Sequence, residues 1–161
     1  MKRKIKSIGS ILKLVSQLRR EGKSIGFTNG CFDILHPGHV SYLRKAKKYV
    51  DVLILGLNSD RSVKKNKGFN RPFNNEKDRA EVVAGLEAVD YVVIFDAPTP
   101  YDIIKKIKPD YLFKGGDWRK QEVVGRDILE SYGGKVVIVP YLKGYSTTSM
   151  VKKICRKACT G

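Results

Sequence analysis

Apolar and polar positions along this chain follow two rhythms. Short apolar runs at 24–28, 52–57, 91–95, 111–114 and 135–140 have the length and the turn-forming borders of buried strands. Between them lie amphipathic stretches at 38–49, 75–87, 100–106 and 122–132 that predict helices, the last with the weakest pattern. Further helices flank the set, at about 8–21 and 147–158. Strand and helix in strict alternation predict an α/β fold, a doubly wound, Rossmann-like parallel sheet of about five strands with helical crossovers.

In such a sheet the ligand lies beyond the carboxyl ends of the strands, where strand order reverses, so the segments after each strand are the ones to read. After the first comes the loop holding His36 and His39, and after the second Asn58-Ser59-Asp60 with a basic loop. After the fourth comes Gly115-Gly116-Asp117-Trp118, and after the fifth Gly144-Tyr145-Ser146-Thr147-Thr148. All four unusual segments fall on one sheet edge.

His36 and His39 are the only histidines of the chain and stand three apart across Pro37-Gly38, at a predicted helix entrance. Proline suits the first helical position, residues three apart share a face, and a helix N-terminus attracts anions. Two imidazoles placed there can donate to a phosphoryl oxygen as charge builds on it. A zinc-protease helix would need a Glu after the first His and four-residue His spacing, and has neither here. Ser146, Thr147 and Thr148 stand at the start of the last helix, where hydroxyls cap free amides and can also ligate phosphate. Two such cradles suit a triphosphate.

The basic segment 62–73, with Lys64, Lys65, Lys67 and Arg71 around Gly68, is long for a crossover turn and predicts a lid or binding loop. Gly115 and Gly116 allow a flat base or sugar close to the backbone, and Asp117 can hold a hydroxyl or an exocyclic amine. Gly22-Lys23-Ser24 imitates a P-loop ending, but it runs from helix into strand, the reverse of that motif. No Gly-x-Gly-x-x-Gly follows the first strand, which argues against a dinucleotide cofactor.

Composition narrows the class. The 161 residues, 42% of them apolar, fit one domain (1–161, with its core at 24–154 and a tail at 155–161). No apolar stretch is long enough for a membrane span, and the N-terminal apolar pattern is broken by Lys13, Gln17 and Arg19, unlike a signal peptide. A cytoplasmic protein is expected, in keeping with three cysteines, Cys31, Cys155 and Cys159, that form no disulfide framework. The net charge of +16 invites a nucleic-acid reading, yet it is spread over nearly every helix and would equally draw in a small polyanion. A nucleic-acid-binding module is the rival from another class, and it leaves the paired histidines unexplained.

The string from Thr28 to His39, with Leu57-Asn58-Ser59-Asp60, Lys67-Gly68, Arg71-Pro72, Arg79, Lys114-Gly115-Gly116-Asp117 and Ser146-Thr147-Thr148, resembles the cytidylyltransferase-like nucleotidyltransferases. Within them it is most similar to the heptose 1-phosphate adenylyltransferases, found alone or joined to a kinase half. The resemblance implies transfer of AMP from ATP to D-glycero-D-manno-heptose 1-phosphate, with Mg2+ on the phosphates, for the lipopolysaccharide inner core. It implies that His36, His39, Lys67 and Arg79 act on the phosphates, that Cys31, Phe32 and Gly38 line the nucleotide together with Gly115, Gly116 and Asp117, and that Ser146, Thr147 and Thr148 start a phosphate-binding helix. Expected partners are ATP and a sugar 1-phosphate, with no nucleic acid and no membrane, and a homodimer by base rate. The rival within the class is a cytidylyl- or adenylyltransferase for another small phosphate, such as glycerol 3-phosphate or a flavin precursor.

Overall fold

The central strand is buried from end to end because helices cover both of its faces: all seven residues of Val52–Asn58 are buried, and all but Asn58 at its end are apolar or glycine. In the computed structural model, which describes residues 4–116 and 118–158, the strands are β1 (Ile5–Lys6), β2 (Ile25–Gly30), β3 (Val52–Asn58), β4 (Tyr91–Phe95), β5 (Tyr111–Gly115) and β6 (Lys135–Val139). They form one parallel sheet in the order β1-β4-β3-β2-β5-β6. The sheet therefore has six strands where the sequence predicts five. The additional one is a two-residue edge strand, too short to carry any periodicity.

The helices are α1 (Ile8–Arg20), α2 (Pro37–Lys47), α3 (Asp60–Lys67), α4 (Glu76–Ala84), α5 (Tyr101–Ile107), α6 (Arg126–Glu130) and α7 (Thr147–Ala158). Alternating strand residues feed two cores. On one face Ile25, Phe27 and Leu112 pack with Ile11 and Val15 of α1 and Ile103, Ile104 and Ile107 of α5. On the other, Leu53, Leu55 and Phe113 pack with Tyr42, Leu43 and Ala46 of α2 and with Ala80 and Val83 of α4. No helix among the described residues is long and apolar enough to cross a membrane.

Two expectations about irregular segments change. The basic segment 62–73 is not a plain loop, since its first half belongs to α3, capped by the Ser59 hydroxyl, which accepts from the Ser62 amide, and ended at Gly68 with φ of 90°. The expected tail at 155–161 is helical as far as Ala158, with Cys155 exposed on it. Asp117 and Cys159 lie outside the described residues.

Strand order places the switch point between β2 and β5, since the chain turns one way from β2 through β3 and β4 and then returns to the other side of β2. These two strands pair only at Gly26 with Tyr111 and Phe27 with Leu112, whereas β2 and β3 stay paired over six residues to Gly30 and Leu57. Beyond Phe27 and Leu112 the strands part, opening the sheet edge where the candidate site lies.

Candidate active site

His36 caps α2 and Pro37 takes its first position, so His36 and His39 stand one helical turn apart at the helix entrance. Their rings stack with centroids 3.8 Å apart and planes at 26°. Phe32 packs against His39, its ring 5.3 Å away and tilted by 51°. Phe32 is buried, and its backbone is held at φ of 44°, in the left-handed region that a bulky side chain seldom occupies. Such strain persists only where the surroundings enforce it, and here it sets the aromatic ring against His39.

Both Nδ1 atoms, of His36 and His39, are buried without a hydrogen-bond partner among the described residues. Burial lowers the pKa of both imidazoles. That of His39 falls to about 4, through desolvation first and then the charges of His36 and Lys67. At neutral pH the stacked rings are therefore uncharged, and each has an N–H to give. The contribution of Lys67 also shows that the end of α3 brings its exposed ammonium within electrostatic reach of the pair.

A pH dependence of stability follows. The folded-state pKa of His39 lies below the ordinary 6.5, so on acidification the unfolded chain takes up a proton that the folded chain refuses. Stability is complete above about pH 6.5 and declines as the pH falls towards 4, with His36 acting in the same direction. Thermal melting followed by circular dichroism from pH 7.5 to 4.5 should show this decline. His39→Gln should flatten it, and an unchanged slope in that variant would contradict the assignment.

The second cradle sits against the first. Tyr145 stacks on His36 with centroids 6.4 Å apart and planes at 22°. A methyl group on Gly38 would lie 2.9 Å from two atoms of the His36 ring and 3.3 Å from Cβ of Tyr145. The absence of a side chain at position 38 thus lets the histidine loop and the entrance of α7 close on each other. Gly38→Ala is expected to push the His36 ring aside and lower turnover by roughly tenfold to a hundredfold with little loss of melting temperature. Steady-state kinetics beside a thermal melt will separate the two effects.

At α7 itself the Ser146 hydroxyl accepts from the Ser149 amide at 3.1 Å, and the Ser149 hydroxyl accepts from the Ser146 amide at 3.3 Å. Ser146 is therefore a helix cap whose reciprocal partner, Ser149, the sequence reading did not single out. Thr147, half-buried, and Thr148, exposed, stand on the first turn beside it.

Arg79 is not an open anion receptor. Its side chain is fully buried and donates through Nε to the Asn74 carbonyl, through Nη1 to the Cys31 carbonyl, and through Nη2 to the Asn58 carbonyl and Asp60 Oδ1, at 2.6 to 2.9 Å. It ties the histidine loop to the end of β3 and the approach to α4. Asp33 makes a parallel tie, accepting from Arg71 Nε at 2.7 Å and from the amides of Phe73 and Asn74 at 2.9 Å. Burial alone would raise the Asp33 pKa, but these donors outweigh it and hold the carboxyl below its ordinary value. Arg71 is thereby an anchor of the basic segment.

Cys31 is half-buried at the end of β2. Across the switch point Gly115 and Gly116 lie under Tyr141, whose hydroxyl and ring atoms come within 2.5 to 2.6 Å of where a Cβ on Gly115 would be. The flat group that approaches this backbone is thus an aromatic side chain of the protein. Lys114, just before them, is a second buried cation of the site, and the sequence reading did not single it out.

A doubly wound sheet with a stacked histidine pair and the α7 entrance together at its switch point defines a Rossmann-like protein of nucleotidyltransferase architecture. The chain belongs to the cytidylyltransferase-like family, whose model matches residues 27–154. It is 52% identical over 153 residues to the bifunctional protein HldE of Geobacter metallireducens, covering 95% of this chain and 31% of that protein. It is 55% identical over 151 residues to the bifunctional protein HldE of Wolinella succinogenes, covering 94% and 31%. The chain thus spans about a third of the length of these curated relatives. Among solved structures, the lipopolysaccharide core biosynthesis protein of Thermoplasma volcanium matches with a TM-score of 0.63 and 30% identity, over 78% of this chain and all of that one. Pantoate-beta-alanine ligase of Francisella tularensis matches in fold, with a TM-score of 0.61 at 18% identity over 95% of this chain and 76% of that one.

Proposed function

We propose that this chain transfers AMP from ATP to D-glycero-D-manno-heptose 1-phosphate, forming ADP-heptose and pyrophosphate. The observation that carries the reading is the stacked pair of uncharged imidazoles at the α2 entrance, with the α7 entrance packed against it at the switch point. The high identity to bifunctional HldE proteins and the likeness to a lipopolysaccharide core biosynthesis protein support the choice of acceptor.

The phosphate oxygen of the acceptor is already ionised at neutral pH, so it attacks the α-phosphorus in line without a general base. The bond from the α-phosphorus to the oxygen bridging to the β-phosphate breaks, and pyrophosphate leaves with that electron pair. The protein's part is to position two polyanions and to offset their repulsion. His36 and His39 donate to the α-phosphate and the leaving group. Lys67 adds charge from the end of α3, while the α7 entrance at Ser146, Thr147 and Thr148 holds the outer phosphates. Cys31, Phe32 and Gly38 shape the floor, Gly115 and Gly116 with the overlying Tyr141 border the nucleoside, and Arg79 positions the histidine loop.

Mg2+ enters as part of the ATP substrate. Among the described residues no group of three or more His, Cys, Asp or Glu side chains is placed to hold a metal ion, and the nearby carboxylates of Asp33 and Asp60 are engaged by Arg71 and Arg79. The choice of substrates is tested by measuring pyrophosphate from ATP or CTP with heptose 1-phosphate, glycerol 3-phosphate or a flavin precursor as acceptor. ATP with heptose 1-phosphate should be the productive pair. Preference for CTP or another acceptor would move the chain to a neighbouring branch. Salt-sensitive oligonucleotide binding without pyrophosphate from any pair would favour the nucleic-acid reading.

A further inference from the structure

Asn29 and Lys114 face each other where β2 and β5 part, two residues along each strand beyond the last paired residues, Phe27 and Leu112. Lys114 is 8% exposed, and its Nζ donates to Asn29 Oδ1. The Trp118 ring centroid lies 5.6 Å from the same nitrogen. An ammonium group has three protons to donate, and among the described residues no carboxylate forms an ion pair with it. Its pKa is lowered to about 8 by burial alone. A cation taken out of water beside one neutral acceptor is costly unless an anion completes it.

The alternation of side chains along β2 and β5 places Asn29 and Lys114 on the sheet face of Phe27 and Leu112, which α1 and α5 cover. The histidine pair heads α2, which packs on the opposite face with Phe113. Attack in line at the α-phosphorus requires the incoming phosphate and the departing pyrophosphate to lie on opposite sides of the reacting atom. With the leaving group held at the entrances of α2 and α7, the incoming group arrives from the side of Asn29 and Lys114.

We infer that Lys114, oriented by Asn29, binds the phosphate monoester of the acceptor and presents it to the nucleotide. The assignment rests on the nucleotidyl-transfer reading above and adds to it the group that holds the second substrate. Asn29 is a positioning residue, since it acts through the ammonium group.

Trp118 is the only tryptophan in the chain, and its place over Lys114 makes its fluorescence a direct reporter. The full chain is saturated with α,β-methylene-ATP and titrated with heptose 1-phosphate, and separately with inorganic phosphate. Wild-type protein should show a saturable change in emission. Lys114→Gln should weaken acceptor binding roughly ten- to a hundredfold, the worth of a charge-assisted hydrogen bond, and leave affinity for the ATP analogue within about twofold. Asn29→Asp, nearly isosteric, neutralises the ammonium without deleting it and should weaken acceptor binding in the same way, while Lys114→Arg should recover part of it. In turnover the same variants should raise KM for the acceptor and not for ATP.

Acceptor affinity unchanged in a folded Lys114→Gln protein would overturn the assignment. So would an equal loss of affinity for the ATP analogue, which would make Lys114 a nucleotide contact. If wild-type protein releases no pyrophosphate with any acceptor, the transfer reading fails separately. Lys114-dependent binding of inorganic phosphate would still uphold the anion site, and Lys114-independent binding would overturn it.

Discussion

Replacing His39 with alanine is expected to lower turnover by roughly 10² to 10³ while nucleotide affinity falls far less. That is the cost of losing one donor aimed at charge that develops only in the transition state. The stacked arrangement explains why the loss falls on kcat. Burial keeps both imidazoles uncharged, so they contribute little long-range attraction to ground-state ATP. They stand in fixed positions, one ring supporting the other, with Phe32 against His39 and Tyr145 against His36, and need no reorganisation as the α-phosphorus becomes crowded. His36→Ala should cost a similar factor, and the double variant less than the product of the two, since removing one ring releases the other from its stack. Asparagine at either position retains a donor and should recover part of the rate. Pre-steady-state quench measurements beside equilibrium ATP binding separate chemistry from affinity. Full activity in both alanine variants would remove the histidines from the mechanism.

Arg79→Met is the variant with the largest expected effect on stability. Four hydrogen bonds from one buried guanidinium join three chain segments, the Cys31 loop, the end of β3 at Asn58 with Asp60, and the approach to α4 at Asn74. Without it, three carbonyls and a carboxylate lose their donor, at a cost of about 3 kcal/mol and a melting temperature lower by about 10 °C. Lysine cannot replace a planar fork that donates in several directions, so Arg79→Lys should destabilise nearly as much. Turnover should fall in step, because the histidine loop hangs from the Cys31 carbonyl. A variant with wild-type melting temperature and impaired ATP binding would instead identify Arg79 as a direct phosphate contact.

What the sequence carried well was whatever has a period or a local signature. The buried run at Tyr91–Phe95 and the helix at Thr147–Ala158 begin and end where the apolar pattern does, and the histidine loop announces itself by residue type and by Pro37. What it hid depends on distant partners. β1 owes its existence to pairing with β4, and α3 is masked by a run of charges with Val63 as its one apolar residue. Arg79 reads as one more helix arginine until the carbonyls of Cys31, Asn58 and Asn74 converge on it. Lys114 reads as part of a glycine-rich turn, and only the parting of β2 from β5 leaves it as a buried cation beside Asn29. The position of Tyr141 over Gly115 likewise follows from β6 lying next to β5.

The central claim is that the two cradles at the switch point grip one triphosphate for attack at its α-phosphorus. It is tested most directly by following isotope from ATP labelled at the α- or the γ-phosphate in the presence of heptose 1-phosphate. The account predicts that α-label passes into the nucleotide sugar and γ-label into pyrophosphate, in equal amounts, with both transfers reduced together in His39→Ala. Label passing from the γ-position to the sugar, or α-label remaining in ATP, would contradict it.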